Sequence, residues 1–180
     1  MSVIAVVGKM ASGKNFICSQ MEKEGWCSVD ADLLVHDAVK QSAQLIFDTF
    51  KDDAKAAGID FMNWDGSVNR RQLGKLLFGR PDLLAKQEAI VYPIIIKMVK
   101  DFVQTHSKTI INATVLYKTP ELLSMCDYIL YVKSPFLKRL YRARKRDHLP
   151  YKQIFKRFHA QKDLLKQYKQ TGKKIVFVNN

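Results

Sequence analysis

Short apolar runs alternate with amphipathic stretches along the chain. Residues 3–7 read VIAVV, apolar at every position and mostly β-branched, as expected of a central parallel strand covered on both faces. A helical pattern follows over about 14–24, then a short strand at 26–29 and another helical pattern beyond Asp32. Residues 52–68 are polar and irregular, with Gly58 and Asp65-Gly66 as turn signals. Helices are expected over 70–78 and about 81–106, with Pro93 kinking or breaking the second. Residues 109–113 (TIINA) and 128–132 (YILYV) are further buried strands, with a short helix starting at Thr119-Pro120 between them. Ser134-Pro135 suits the start of a helix to about 146, Pro150 opens another to about 170, and 175–178 (IVFV) is a last strand.

Strands separated by helices predict an α/β fold, a parallel five-stranded sheet flanked by helices. The 180 residues suit one such domain, with no internal repeat or linker. Ligands of such sheets bind at the carboxyl ends of strands, which gathers 8–15, 30–32 and 112–118 around one crevice.

Charge changes this picture. The formal net charge is +13, from 30 Lys and Arg against 17 Asp and Glu. Residues 1–132 hold 15 basic and 15 acidic side chains, whereas 133–180 hold 15 basic ones against only Asp147 and Asp163. The imbalance is local, a nucleic-acid patch or a device for gripping phosphates. Cys18, Cys27 and Cys126 have no C-x-x-C spacing, so reduced buried thiols are expected rather than zinc or disulfides. No apolar run approaches the roughly 20 residues of a membrane span. No secretory signal is expected at the start, and the expected location is cytoplasmic.

Gly8-Lys9-Met10-Ala11-Ser12-Gly13-Lys14 matches G-x-x-x-x-G-K directly between a strand and a helix. Its glycines let successive N–H groups turn toward a phosphate, the helix start adds positive potential, and Lys14 reaches the outer phosphates. The next position, normally Ser or Thr for Mg²⁺, is Asn15, whose amide oxygen is an alternative metal ligand. Asp30 and Asp32 end the second strand at i and i+2. One is a candidate base for an attacking hydroxyl and the other a candidate metal ligand. Taken alone, Asp30 reads as a helix cap and Asp32 as a first-turn acid. Lys138, Arg139, Arg142, Arg144, Lys145 and Arg146 crowd nine residues, with Arg142 and Arg146 on one helical face. Tyr141, Tyr151, Phe155, Phe158 and Tyr168 recur at helical spacing and are expected to face the core, leaving no stacking platform for nucleic acid.

Together these segments resemble the dephospho-coenzyme A kinase family, P-loop kinases of the nucleotide-kinase type, along nearly the whole chain. Val29-Asp30-Ala31-Asp32 is similar to its I-D-A-D. Asp65-Gly66 with Arg70, Leu73 and Phe78 resembles its D-G-x-x-x-R-x-x-L-x-x-x-x-F, and residues 88–93 (EAIVYP) resemble its E-A-I-x-H-P. Cys126-Asp127 ahead of the fourth strand, then Arg142, Arg146-Asp147, Arg157 and Gln161, resemble its lid pattern, and Asn179 its asparagine after the last strand. The departures are Asn15 for Ser/Thr, Tyr92 for His, and Thr114-Val115-Leu116-Tyr117-Lys118 where the family has P-L-L-F-E.

The resemblance implies transfer of the ATP γ-phosphate to the ribose 3′-hydroxyl of dephospho-CoA, with ATP as donor and Mg²⁺ as cofactor. It implies Asp32, Lys14 and Arg142 as catalytic residues. It places ATP on Gly8, Lys9, Met10, Ala11, Ser12, Gly13, Lys14, Asn15, Phe16, Arg142, Arg146 and Asn179. The acceptor falls to Asp32, Arg70 and Tyr92, and the metal to Asn15 and Asp30. One domain, 1–180, is expected, with a core over about 1–50, 107–135 and 171–180, a helical acceptor region over 51–106 and a basic lid over 136–170. The alternatives are a kinase for another small hydroxyl acceptor and a P-loop module binding nucleotide or nucleic acid without turnover. Nucleic acid and membrane are not expected as partners, and the oligomeric state is open.

Overall fold

The computed structural model describes residues 1–180. Strands β1 (Ser2–Val7), β2 (Cys27–Asp30), β3 (Lys108–Asn112), β4 (Tyr128–Lys133) and β5 (Ile175–Asn179) form one parallel sheet in the order β2-β3-β1-β4-β5. The apolar run of β1 takes the centre, where a strand loses both faces to neighbouring layers, and its last five residues are buried. Each such Val or Ile contributes about 1.5–3 kcal/mol of transfer free energy. The register levels the carboxyl ends that matter. Asn112 lies opposite Val6 on one side and Asp30 on the other.

The helices are α1 (Lys14–Glu22), α2 (Ala31–Gln41), α3 (Ala43–Ala57), α4 (Arg70–Leu77), α5 (Pro81–Gln104), α6 (Pro120–Ser124), α7 (Phe136–Asp147), α8 (Tyr151–Ala160) and α9 (Leu164–Gln170). The chain divides into two compact units, Met1–Asp32 with Val99–Asn180, and Leu33–Met98. The first contains the whole sheet. Val6, Cys18, Ile110 and Val132 join α1 to it, and Met10, Ala143, Ile154 and Phe158 form a second cluster with α7 and α8. In the second unit α3 buries Ile46, Phe50 and Ala54 on one stripe and α4 buries Leu73 and Leu76. Asn69 caps α4 by accepting from the Gln72 N–H at 3.2 Å. The helical unit therefore begins at Leu33, ahead of the 51–106 region expected for the acceptor.

Three local expectations change. Residues 52–57 are not irregular but complete α3, because Ala54 continues the buried spacing of Ile46 and Phe50 until Gly58 turns the chain at φ 62°. Pro93 does not break α5, since Val91, Ile95 and Val99 bury the same stripe on both sides of it. The helix expected from Pro150 to 170 is two helices, separated by a turn at 161–163. No helix is long and apolar enough to cross a membrane. All three cysteines are free thiols; burial pushes those of Cys18 and Cys126 up to about 12, so both stay protonated.

Candidate active site

The phosphate loop leaves β1 and enters α1 through two left-handed residues, Ala11 (φ 60°) and Gly13 (φ 95°). That path turns backbone donors to one side. Gly8 must lack a side chain, because a Cβ there would stand 2.7 Å from both Ser12 Oγ and the Val132 carbonyl. No side chain caps α1, so the first-turn donors of Lys14 to Phe16 and the positive helix end are available to an anion. Ser12 Oγ is buried without a partner. Phe16 is instead largely exposed.

At the carboxyl ends of β1 and β3 the predicted base and lysine meet. The Thr114 hydroxyl donates to Asp32 Oδ2 at 2.7 Å, the Thr114 N–H donates to Asp32 Oδ1 at 3.2 Å, and Lys14 Nζ donates to Thr114 Oγ1 at 3.0 Å. Burial lowers the Lys14 pKa and the Arg146 charge adds to that, while Asp32 and Asp30 oppose it. Asp30 Oδ1 accepts the Asp32 N–H at 3.0 Å, so its cap-like role is real. Its other oxygen, Oδ2, accepts from the Asn112 amide at 3.1 Å.

Hard oxygen ligands suit Mg²⁺. Asn15 Oδ1 and Asp30 Oδ2 accept from the same Asn112 amide, at 3.0 and 3.1 Å, and Asn112 Oδ1 is buried with no partner. Asn15 and Asp30 thus present oxygens to one shared amide donor, and the carbonyl oxygen of that same amide has an unmet need for a cation or donor. This donor set fits the metal, and Asn112 is a member that the sequence reading did not single out.

The basic helix does come to the loop. Arg142 donates to the Ser12 carbonyl at 3.3 Å, to Ser134 Oγ at 3.4 Å and to Asn180 Oδ1 at 3.4 Å. Arg146 forks onto Asp147 at 2.7 and 3.1 Å rather than onto the loop, although its charge is felt at Lys14. Arg139 is buried, donates to the Met10 carbonyl at 2.9 Å and stacks over Phe158. Gln161 Oε1 accepts the Met10 N–H at 2.6 Å, and Lys9 Nζ donates to the Lys162 carbonyl at 3.3 Å, tying the α8–α9 turn to the loop. Asn179 ends β5 and lines a cavity of about 640 Å³ with Lys9, Ser12, Lys133, Ser134 and Asn180. It is Asn180, not Asn179, that reaches the loop: its amide donates to the Ser12 and Gly13 carbonyls at 3.0 and 3.4 Å. Asn180 follows the end of β5, and its N–H donates to the Lys133 carbonyl at 2.9 Å, which sets its side chain beside the loop.

In the helical unit Arg70 opens α4, exposed, and Tyr92 lies half-buried on α5. Lys118 is exposed on a 3₁₀ turn, Leu116–Lys118. The aromatic expectation is half wrong. Phe158 and Tyr168 are buried, whereas Tyr141, Tyr151 and Phe155 are 68%, 54% and 46% exposed. Phe155 gains cover by stacking on Phe136, itself exposed, which removes the need for core burial.

A parallel sheet with a glycine loop between its central strand and an uncapped helix, beside a carboxylate, a half-buried lysine and a cationic helix, defines a P-loop kinase. The solved structures agree on the fold. A Thermus thermophilus protein titled TT1252 superposes with TM-score 0.79 over 99% of this chain and 88% of that one at 20% identity. Dephospho-CoA kinase from Campylobacter jejuni gives 0.62 over 99% and 88% at 17%. In sequence, the dephospho-CoA kinase of Treponema denticola is 33% identical over 92% of this chain and 76% of its own length. The model of the dephospho-CoA kinase family matches residues 2–180, and the chain belongs to that family. It is a kinase that phosphorylates dephospho-CoA to coenzyme A, with ATP as phosphate donor.

Proposed function

We propose that Asp32 is the general base and Lys14 the phosphate ligand of this reaction, acting on the ribose 3′-hydroxyl of dephospho-CoA. The observation that carries this reading is their convergence on one hydroxyl, that of Thr114, beside an open phosphate loop. Lys14 turns from Thr114 to the β and γ phosphates as ATP enters, and the loop donors complete the cradle. The cavity beside Asn179 and Lys9, within the size range of ligand pockets, takes the base and ribose of ATP.

The acceptor hydroxyl gives its proton to Asp32 as its oxygen bonds to the γ phosphorus. The bond to the β-phosphate oxygen breaks, and ADP is the leaving group. Arg142, already against the Ser12 carbonyl of the loop, neutralises charge on the transferring group. Mg²⁺, when bound, supplies charge neutralisation of the phosphates, and Asn15, Asp30 and Asn112 are the residues that would hold it. Arg70 and Tyr92 serve the acceptor, Arg70 through its phosphates. The free thiols support a reducing compartment, the cytoplasm.

A coupled assay with ATP and dephospho-CoA tests the reading. Asp32→Asn is expected to lower kcat by about 10² to 10⁴-fold, the usual worth of a general base, while ATP affinity stays within about threefold. Parallel loss of both would remove Asp32 from the chemistry. A second acceptor turned over with higher kcat/KM than dephospho-CoA would reassign the substrate.

A further inference from the structure

The hydroxyl between Asp32 and Lys14 has one hydrogen, and that fixes its direction. Lys14 Nζ has only donors, so at 3.0 Å Thr114 Oγ1 must accept from it. The hydrogen of Thr114 is then left for Asp32 Oδ2 at 2.7 Å. The Thr114 N–H holds the other carboxylate oxygen at 3.2 Å, so one residue grips both oxygens. Thr114 is itself fixed from behind. The Tyr168 hydroxyl donates to its carbonyl at 2.9 Å and accepts the Leu116 N–H at 2.8 Å, and Tyr168 is wholly buried on α9. The family pattern resembled here has proline at this position, which offers neither an N–H nor a hydroxyl.

We propose that Thr114 is a positioning residue of this kinase, which orients the Asp32 carboxylate through two donors and links it to Lys14 through its hydroxyl. The proposal rests on the reading of Asp32 as base. It adds a hydrogen-bonded link between the residues that serve the two substrates. While Lys14 donates to Thr114, the hydroxyl is polarised and its hydrogen bond to Asp32 is strengthened. The carboxylate keeps its orientation throughout, because the Thr114 N–H and the hydroxyl hydrogen remain on it. Asp32 is thereby held in place while Lys14 moves to ATP, and orientation of this kind is worth rate rather than affinity.

Steady-state kinetics of T114V, T114A, T114S, D32N and the double variant T114V/D32N test this, with thermal unfolding of each. T114V keeps the shape and the N–H but loses the hydroxyl. Its kcat is expected to fall about 10- to 100-fold, with the KM for ATP within about threefold, and T114S is expected to restore kcat to within about threefold of the parent. In the D32N background T114V should cost little more, because the group it positions is already gone. The proposal is overturned by a T114V enzyme with the parent's kcat, or by a T114V/D32N enzyme whose loss is the product of the separate losses. Loss of cooperative unfolding in both T114V and T114A would also overturn it, since the side chain would then serve the fold. Wild-type kcat in D32N has a different meaning: it would remove Asp32 as the base, whatever T114V does.

Discussion

Lys14 carries a pH signature that follows from its surroundings. Its pKa is lowered because burial disfavours the ammonium, with Arg146 adding repulsion and Asp32 and Asp30 opposing. For a base with a depressed folded pKa the sign is unfavourable below that pKa. The charged form costs folding stability there, and the cost is relieved as pH rises from the folded toward the unfolded value. Phosphate affinity runs the other way, since only the ammonium binds. ATP affinity of the wild type is therefore expected to fall on the alkaline side at a lower pH than an ordinary lysine would give. K14R, whose guanidinium stays charged, should hold its weaker affinity flat over the same range in a calorimetric titration series. A coincident alkaline fall in K14R would assign the titration to another group. The lysine was legible from G-x-x-x-x-G-K. Its lowered pKa was not, because desolvation is set by what packs around the residue.

At the scale of elements, the turn between α8 and α9 shows how a sequence pattern misleads. Helical spacing runs on from Pro150 to 170, yet the chain breaks at 161–163 and spends Gln161 and the Lys162 carbonyl on the phosphate loop. A side chain bonded to the Met10 N–H is worth about 0.5–1.5 kcal/mol net, and here it fastens the basic segment to the nucleotide loop. Q161A is expected to raise amide hydrogen-exchange rates across α8 and α9 about two- to tenfold while β1 and β3 are unchanged. Equal acceleration in the sheet would mean global destabilisation instead. The same distinction explains Asn180. Placing it against the loop needed the register of β5 on β4, which the sequence does not carry, whereas Asn179 lines the neighbouring cavity.

For the molecule as a whole, the parallel sheet is the scaffold that levels Asp30, Asn112 and the phosphate loop at one edge. Its centre is the costly place to cut. I4A, in the central strand, is expected to lower stability by about 2–5 kcal/mol, and L137A, three-quarters exposed on α7, by less than about 0.5 kcal/mol. Thermal melts of the two variants check this, and a comparable loss in L137A would show that α7 buries that side in solution. The +13 charge keeps its local character. Arg139 and Arg142 are spent on loop carbonyls, whereas Arg146 pairs with Asp147 and Arg144 lies over Tyr151, so only part of the excess is organised around the phosphate loop. By itself the sequence determined the layered parallel sheet, the phosphate loop, the paired aspartates and the cationic segment, because period, composition and short motifs are local properties. Only the tertiary structure decided that Thr114 joins Asp32 to Lys14, that Asn112 joins Asn15 to Asp30, and that Asn180 and Gln161 close on the loop. Those contacts join residues 82 to 168 positions apart, and no local pattern encodes a partner that arrives from another strand.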